Sequence, residues 1–169
     1  KLEGSIRITG SKSESNRLLI LQALFPGIRI ENLSNSDDTS VMQQALASDG
    51  GHIDIHHAGT AMRFLTAYFA TREGREVVLT GSERMKQRPI EVLVDALREL
   101  GGVVEYMENP GCPPLRIVGK RITASDVELP AGVSSQYISA LLLIAPGLPG
   151  GLRIRLTGRI TSLPSITMT

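Results

Sequence analysis

The sequence holds one cysteine, no tryptophan, three tyrosines and three phenylalanines, and its formal net charge is only +1. A single cysteine, Cys112, excludes an internal disulfide framework and suits a reducing compartment. It lies in Asn109-Pro110-Gly111-Cys112-Pro113-Pro114, a turn, and is read as a loop residue rather than a nucleophile. The balanced charge provides no global footprint for nucleic acid, and so few rings leave little to stack single strands on. The longest apolar run, 138–148, is too short for a bilayer and is broken by Pro146. No signal peptide is visible, which favours a cytoplasmic location; the chain opens on Lys1 without methionine, so a few residues are expected to be missing.

What is present is enough for a core: 169 residues, 41% of them hydrophobic. The order of apolar patterns recurs along the chain. The first unit has a helix over 13–25, an alternating strand over 28–33, a helix from Asp38 to about Ala47 and a strand over 52–56. The second begins at Gly59, with a helix over 60–70, a strand over 76–80, a helix over 89–100 closed by Gly101-Gly102, and strands near 103–107 and 115–118. A strand over 127–129 leads into a third unit with a helix over 134–145, a strand over 152–157 and a helix starting at Ser162-Leu163-Pro164. The fold class is α/β, built from repeated βαβαββ units. The first helix of each unit is apolar nearly all round and is expected to be buried. The second, with Ile90, Leu93, Val94 and Leu97 in one stripe, is expected to cover the outside. If rotation relates the units, the three buried helices run in one direction and their N-termini gather at one end.

Those N-termini carry the chemistry. Gly10-Ser11-Lys12-Ser13-Glu14-Ser15-Asn16-Arg17 puts hydroxyls and two cations at a helix start, where unpaired N–H groups and the macrodipole favour an anion. Gly59-Thr60-Ala61-Met62-Arg63 lets backbone approach a ligand and sets Arg63 one turn in. Val133-Ser134-Ser135-Gln136 fits both a polyhydroxylated substrate and simple capping by Ser134. Arg84-Met85-Lys86-Gln87-Arg88-Pro89 packs three cations before a helix; a solvated loop has the same pattern, but the repeat puts this loop at the anion end, which favours Arg84 as a ligand residue. Asp37-Asp38 reads as a cap with acidic first-turn residues, not a catalytic pair. His52, Asp54 and His56 share one strand face but fan out along it, so they make a poor metal site. A P-loop fails on spacing, because Ser11 stands where glycine must precede the lysine.

Taken in order, these blocks together with Pro113-Pro114-Leu115-Arg116 resemble the enolpyruvyl transferase family, in its 5-enolpyruvylshikimate-3-phosphate synthase branch, through the whole chain. The resemblance implies an inside-out α/β barrel of the enolpyruvyl transferase type, with buried helices, outer sheets and an incomplete third unit. Residues 1–12 would belong to or lead from another domain, and 13–169 would form one incomplete substrate-binding domain. The implied reaction moves the enolpyruvyl group of phosphoenolpyruvate to the 5-hydroxyl of shikimate 3-phosphate and releases phosphate, on the route to chorismate and the aromatic amino acids. No cofactor and no metal are implied. The implied partners are the two small-molecule substrates, with no nucleic acid, no membrane and a monomeric state.

Carried over by position, Lys12 would touch both substrates, Ser13 and Arg17 the shikimate body, Gly59 and Arg84 phosphoenolpyruvate, and Ser134, Ser135 and Gln136 shikimate 3-phosphate, with Gln136 reaching both. Family members are much longer. Their aspartate base and proton-handling lysine and glutamate come from the part not represented here, so no catalytic residue is assigned in this chain, which alone should bind weakly and not turn over. The chain departs from the family at His57, where asparagine is usual, at Phe64, where proline is common, and in the short link between Ala47 and His52. Glyphosate occupies the family's phosphoenolpyruvate site, and Gly59 leaves room for it. The alternatives are the sister UDP-N-acetylglucosamine enolpyruvyl transferase, which differs after the first-helix lysine and in the Arg84 loop, and a non-catalytic binding module.

Overall fold

Serine side chains cap three helix starts in the computed structural model, which describes residues 5–159 and 163–169. Helix α1 (Lys12–Leu24) begins at Ser11, whose Oγ accepts from the Glu14 N–H at 3.4 Å. Helix α2 (Asp37–Ala47) begins at Ser36, which accepts from the Thr39 N–H at 3.3 Å, with Asp37 and Asp38 in the first turn as the capping reading expects. Strand β1 (His52–Asp54) leads into α3 (Gly59–Ala70) and β2 (Glu76–Thr80). A 3-10 turn (Met85–Gln87) precedes α4 (Glu91–Glu99), the hairpin of β3 (Val103–Tyr106) and β4 (Leu115–Val118), and β5 (Asp126–Pro130). Helix α5 (Ser135–Ile144), capped by Ser134, a second 3-10 turn (Ala145–Gly147), β6 (Arg153–Thr157) and α6 (Leu163–Met168) complete the described chain. Ser162, expected to open that last helix, lies outside the described residues.

Strands order as β1-β2-β4-β3 in one sheet and β5-β6 in a second. β1 and β2 are parallel, with Ile53 opposite Leu79, and the connection between them is α3. β5 and β6 are parallel, with Val127 opposite Ile154, and their connection is α5. Parallel neighbours need such a crossover, so the same β-helix-β device appears twice, each time around an apolar helix. β4 runs antiparallel to both β2 and β3. Ten residues of α3 are buried, including Phe64, Leu65 and Phe69, and α5 buries Tyr137 through Leu141 with Leu143 and Ile144. Helix α4 behaves as its stripe predicts: Ile90, Leu93, Val94 and Leu97 face inward, while Glu91, Asp95, Arg98 and Glu99 are exposed.

Four expectations need correction. Residues 28–33 form no strand. Asn32 adopts φ +54°, which breaks an extended ladder, and the segment packs against Gly10 so closely that a Cβ there would collide with the Asn32 carbonyl. β1 stops at Asp54, because His56 turns to φ +51° and leaves the strand. Helix α4 starts at Glu91 rather than Pro89, since the preceding turn is spent on the 3-10 segment. Helix α1 is only half-buried: Leu19 and Ile20 are in the core, but Leu18 is 38% exposed and Leu21 intermediate, because α2, α3 and α5 contact α1 without covering that flank.

Candidate functional site

The three first helices do meet at their starts. In the second turn of α1, Arg17 is 7% exposed and donates from Nη2 to Ser139 Oγ on α5 at 3.1 Å, while its guanidinium lies 5.4 Å from the Phe64 ring centroid on α3. In the second turn of α3, Arg63 donates from Nη1 to Gln136 Oε1, in the first turn of α5, at 2.8 Å. At the other end a Cβ on Gly147 would touch Leu24 at 3.5 Å, so α1 and α5 run side by side in one direction. Macrodipole and unpaired N–H groups therefore add at one end of the molecule.

The helix starts differ in what occupies them. Ser11 and Ser134 cap α1 and α5. Helix α3 has no capping side chain, and the N–H groups of Gly59, Thr60 and Ala61 have no partner among the described residues. Cations take up the space beside it. A Cβ on Gly59 would fall 2.5 Å from Arg88 Nη1 and 3.4 Å from Arg63 Nη1, so glycine is what lets the Arg88 guanidinium lie against this helix end. Arg63 also donates to the Gly59 carbonyl at 3.2 Å and lies 5.2 Å from the Tyr137 ring centroid. An adjoining pocket of about 400 Å³ is lined by His57, Ser82, Arg84, Met85 and Arg88. Neither the Arg84 nor the Arg88 guanidinium has a hydrogen-bond or ion-pair partner among the described residues. Tyr137 Oη donates to the Pro89 carbonyl at 2.7 Å, fixing this loop to α5.

Of the residues singled out from sequence, Gly59 and Gln136 stand around this helix end, as do Arg63 and Arg88, and Arg84 lines the adjoining pocket. Ser134 is the α5 cap, accepting from the Gln136 N–H at 3.3 Å, and Ser135 is the first helical residue. Lys12 reaches Asp38 Oδ2 at 3.5 Å with half its side chain in solvent, a weak pair that an anion can displace. Ser13 contributes its carbonyl to Arg17 Nη1 at 2.9 Å. Arg17 also donates from Nε to Thr169 Oγ1 at 2.7 Å, so three of its five donors are held by protein and two N–H remain. Burial lowers its guanidinium pKa below the ordinary value.

His57, noted from sequence as a departure from the family, is a wall residue that hydrogen-bonds Ser82 Oγ through Nδ1 at 2.9 Å, and Arg88 is a wall residue that the sequence did not single out individually. The available signal was the Arg-Pro pair directly before a helix. Arg116 is outside the site: it bridges Glu76 at 2.7 Å and Glu105 at 3.0 Å on the sheet, and these partners raise its pKa. His56 pairs with Asp54 instead of extending a ligand row, and no group of three or more His, Cys, Asp or Glu suited to a metal ion occurs among the described residues.

Known proteins share this arrangement of elements. Solved structures of EPSP synthase from Acinetobacter baumannii superpose on 97% of this chain with a TM-score of 0.77 at 19% identity, using 42% of that chain, which shows the fold. A curated 3-phosphoshikimate 1-carboxyvinyltransferase of Bacteroides fragilis is 54% identical over 170 aligned positions, and one of Colwellia psychrerythraea is 40% identical over 196. Both alignments cover all of this chain but only 41% and 46% of those relatives, so the chain spans less than half their length. The family profile described as EPSP synthase (3-phosphoshikimate 1-carboxyvinyltransferase) matches residues 1–54 and 44–169, and the chain belongs to that family.

Proposed function

We propose that these 169 residues form one half of an enolpyruvyl transfer site and hold both substrates by their anionic groups. The observation that carries this reading is the uncapped start of α3, with Arg63 and Arg88 around Gly59, Gln136 of α5 bonded to Arg63, and Arg84 in the adjoining pocket. Phosphoenolpyruvate and shikimate 3-phosphate each carry a phosphate and a carboxylate, and oriented N–H groups with guanidiniums are the donors that such groups need. In this reading Gly59 and Arg84 bind phosphoenolpyruvate, Ser13, Arg17, Ser134 and Ser135 bind shikimate 3-phosphate, and Lys12 and Gln136 contact both. The 5-hydroxyl attacks the substituted carbon of phosphoenolpyruvate while the methylene carbon takes a proton, giving a tetrahedral adduct. Loss of that proton and of phosphate yields the enol ether.

The residues that move those protons lie, in this reading, in the remaining length that the relatives possess. This chain orients the reactants and neutralises their charge, which lowers the barrier by proximity and electrostatics. Residues 1–12 belong to or lead from a second domain, 13–169 form one incomplete substrate-binding domain, and completion of the third unit closes an inside-out barrel around the buried helices. The complete enzyme works as a cytoplasmic monomer without cofactor, metal, nucleic acid or membrane.

Two substitutions in the complete enzyme test the assignment. Arg84→Ala should lower kcat/KM for phosphoenolpyruvate, and Arg17→Ala that for shikimate 3-phosphate, each by about a hundredfold or more. Near-normal steady-state kinetics in both variants would overturn it.

A further inference from the structure

His57 stands out in the pocket beside α3 as its one wall residue able to change charge near neutral pH. Its ring meets Ser82 Oγ through Nδ1 at 2.9 Å, and the same oxygen accepts from the Met85 N–H at 3.3 Å. Three proton arrangements satisfy these distances, one being the neutral ring with its proton on Nδ1, which already donates to Ser82 Oγ. In the neutral ring carrying its proton on Nε2, Nδ1 accepts the Ser82 O–H. In the imidazolium, Nδ1–H donates to Ser82 Oγ, which still accepts from Met85, and the hydroxyl proton is released to point elsewhere.

The charged groups around the ring decide what could drive this exchange. Arg84 and Arg88 line the same pocket with their guanidiniums unpaired, and Arg63 on α3 is held by Gly59 and Gln136. On the β1 side Asp54 is engaged by His56, and on the 3-10 turn Lys86 pairs with Glu83 and Glu108. Among the described residues these neighbouring carboxylates are thus committed, and two of the five residues that line the pocket are arginines.

We propose that His57 and Ser82 form a proton-linked arm of this pocket: a phosphate monoester dianion entering between Arg84 and Arg88 draws a proton onto His57, and the reversed hydrogen bond turns the Ser82 hydroxyl toward the anion. An opposite charge at a few ångströms favours the imidazolium, and linkage makes ligand affinity rise with protonation by the same factor. The proposal rests on the pocket being the phosphoenolpyruvate subsite, as argued above. The proton comes from solvent and returns there when the ligand leaves.

The test is the pH profile of KM for phosphoenolpyruvate in the complete enzyme from about pH 7 to 9, a range above the second ionisation of a phosphate monoester at about 6. In the parent enzyme KM should rise about threefold across this range, the part of a tenfold coupling from one pKa unit of ligand-induced shift that lies above an ordinary histidine value of about 6.5. His57→Asn should flatten that rise, and Ser82→Ala should raise KM about fivefold at the acid end only, the size of one lost hydrogen bond. Histidine-ring NMR of the parent enzyme, with and without inorganic phosphate, should show His57 titrating at higher pH when phosphate is bound. An unchanged KM profile in His57→Asn, or a His57 titration that phosphate does not move, overturns the proposal. If Arg84→Ala leaves KM unchanged at every pH, the subsite assignment itself has failed, an outcome distinct from loss of the His57 effect alone.

Discussion

At the scale of single residues, the same side-chain type serves different ends according to what surrounds it. Arg116 bridges two carboxylates on the sheet, Arg17 is buried among hydroxyls and a ring, and Arg84 and Arg88 have no hydrogen-bond or ion-pair partner among the described residues. Motif reading singled out Arg84, which lines the pocket beside α3, but it could not foresee that Ser139 and Thr169 hold Arg17, since those partners are 122 and 152 residues away. Tyr106 supplies a prediction of its own. Its hydroxyl is buried without a hydrogen-bond partner, and burial pushes the phenol up to about 12, against the opposing pull of Arg98, whose guanidinium lies 5.0 Å from the ring centroid. The fold favours the neutral phenol, so this contribution is complete below the ordinary value of 10 and is lost as pH rises through about 12. Tyr106→Phe removes the orphaned hydroxyl; urea unfolding should show a gain of about 1 kcal/mol at neutral pH and a flatter decline between about pH 10 and 12.

At the scale of elements, the long helices were legible from sequence where a cap or an apolar stripe marks them, as serine caps do for α1, α2 and α5 and the Ile90-Leu93-Val94-Leu97 stripe does for α4. Ser36 with Asp37 and Asp38 is the clearest case. Ser36→Ala should lower stability by about 1 kcal/mol in thermal or urea unfolding, and Asp37→Asn by less, with kcat/KM in the complete enzyme unchanged in both. Segment 28–33 was not legible: its alternation is strand-like, yet Asn32 in the left-handed region and the close contact with Gly10 leave it no ladder to join. The link from Tyr137 Oη to the Pro89 carbonyl ties α5 to the cationic loop, and no local pattern announces a bond across 48 residues. Tyr137→Phe should cost about 1 kcal/mol of stability and raise KM for phosphoenolpyruvate more than it lowers kcat, because the loop loses its anchor while its cations remain.

At the scale of the whole molecule, two β-helix-β crossovers aim the starts of buried helices at one end, and the chain covers less than half the length of its relatives. A cleft of about 410 Å³ between α1, α5 and α6, lined by Leu18, Leu21, Leu143 and Met168, reaches the buried Arg17. Phosphate release by the isolated 169 residues, supplied with phosphoenolpyruvate and shikimate 3-phosphate, should stay at the buffer rate; turnover by this chain alone would show that it contains proton-transfer groups assigned elsewhere. The sequence by itself determined the mixed α/β order and the buried and covering faces of α3, α4 and α5, because apolar periodicity is a local property. Tertiary structure decided the strand order, the half-open flank of α1, and which cations stay unpaired at the start of α3. Those depend on which distant carboxylates and hydroxyls arrive beside each guanidinium, and chain spacing alone does not encode that.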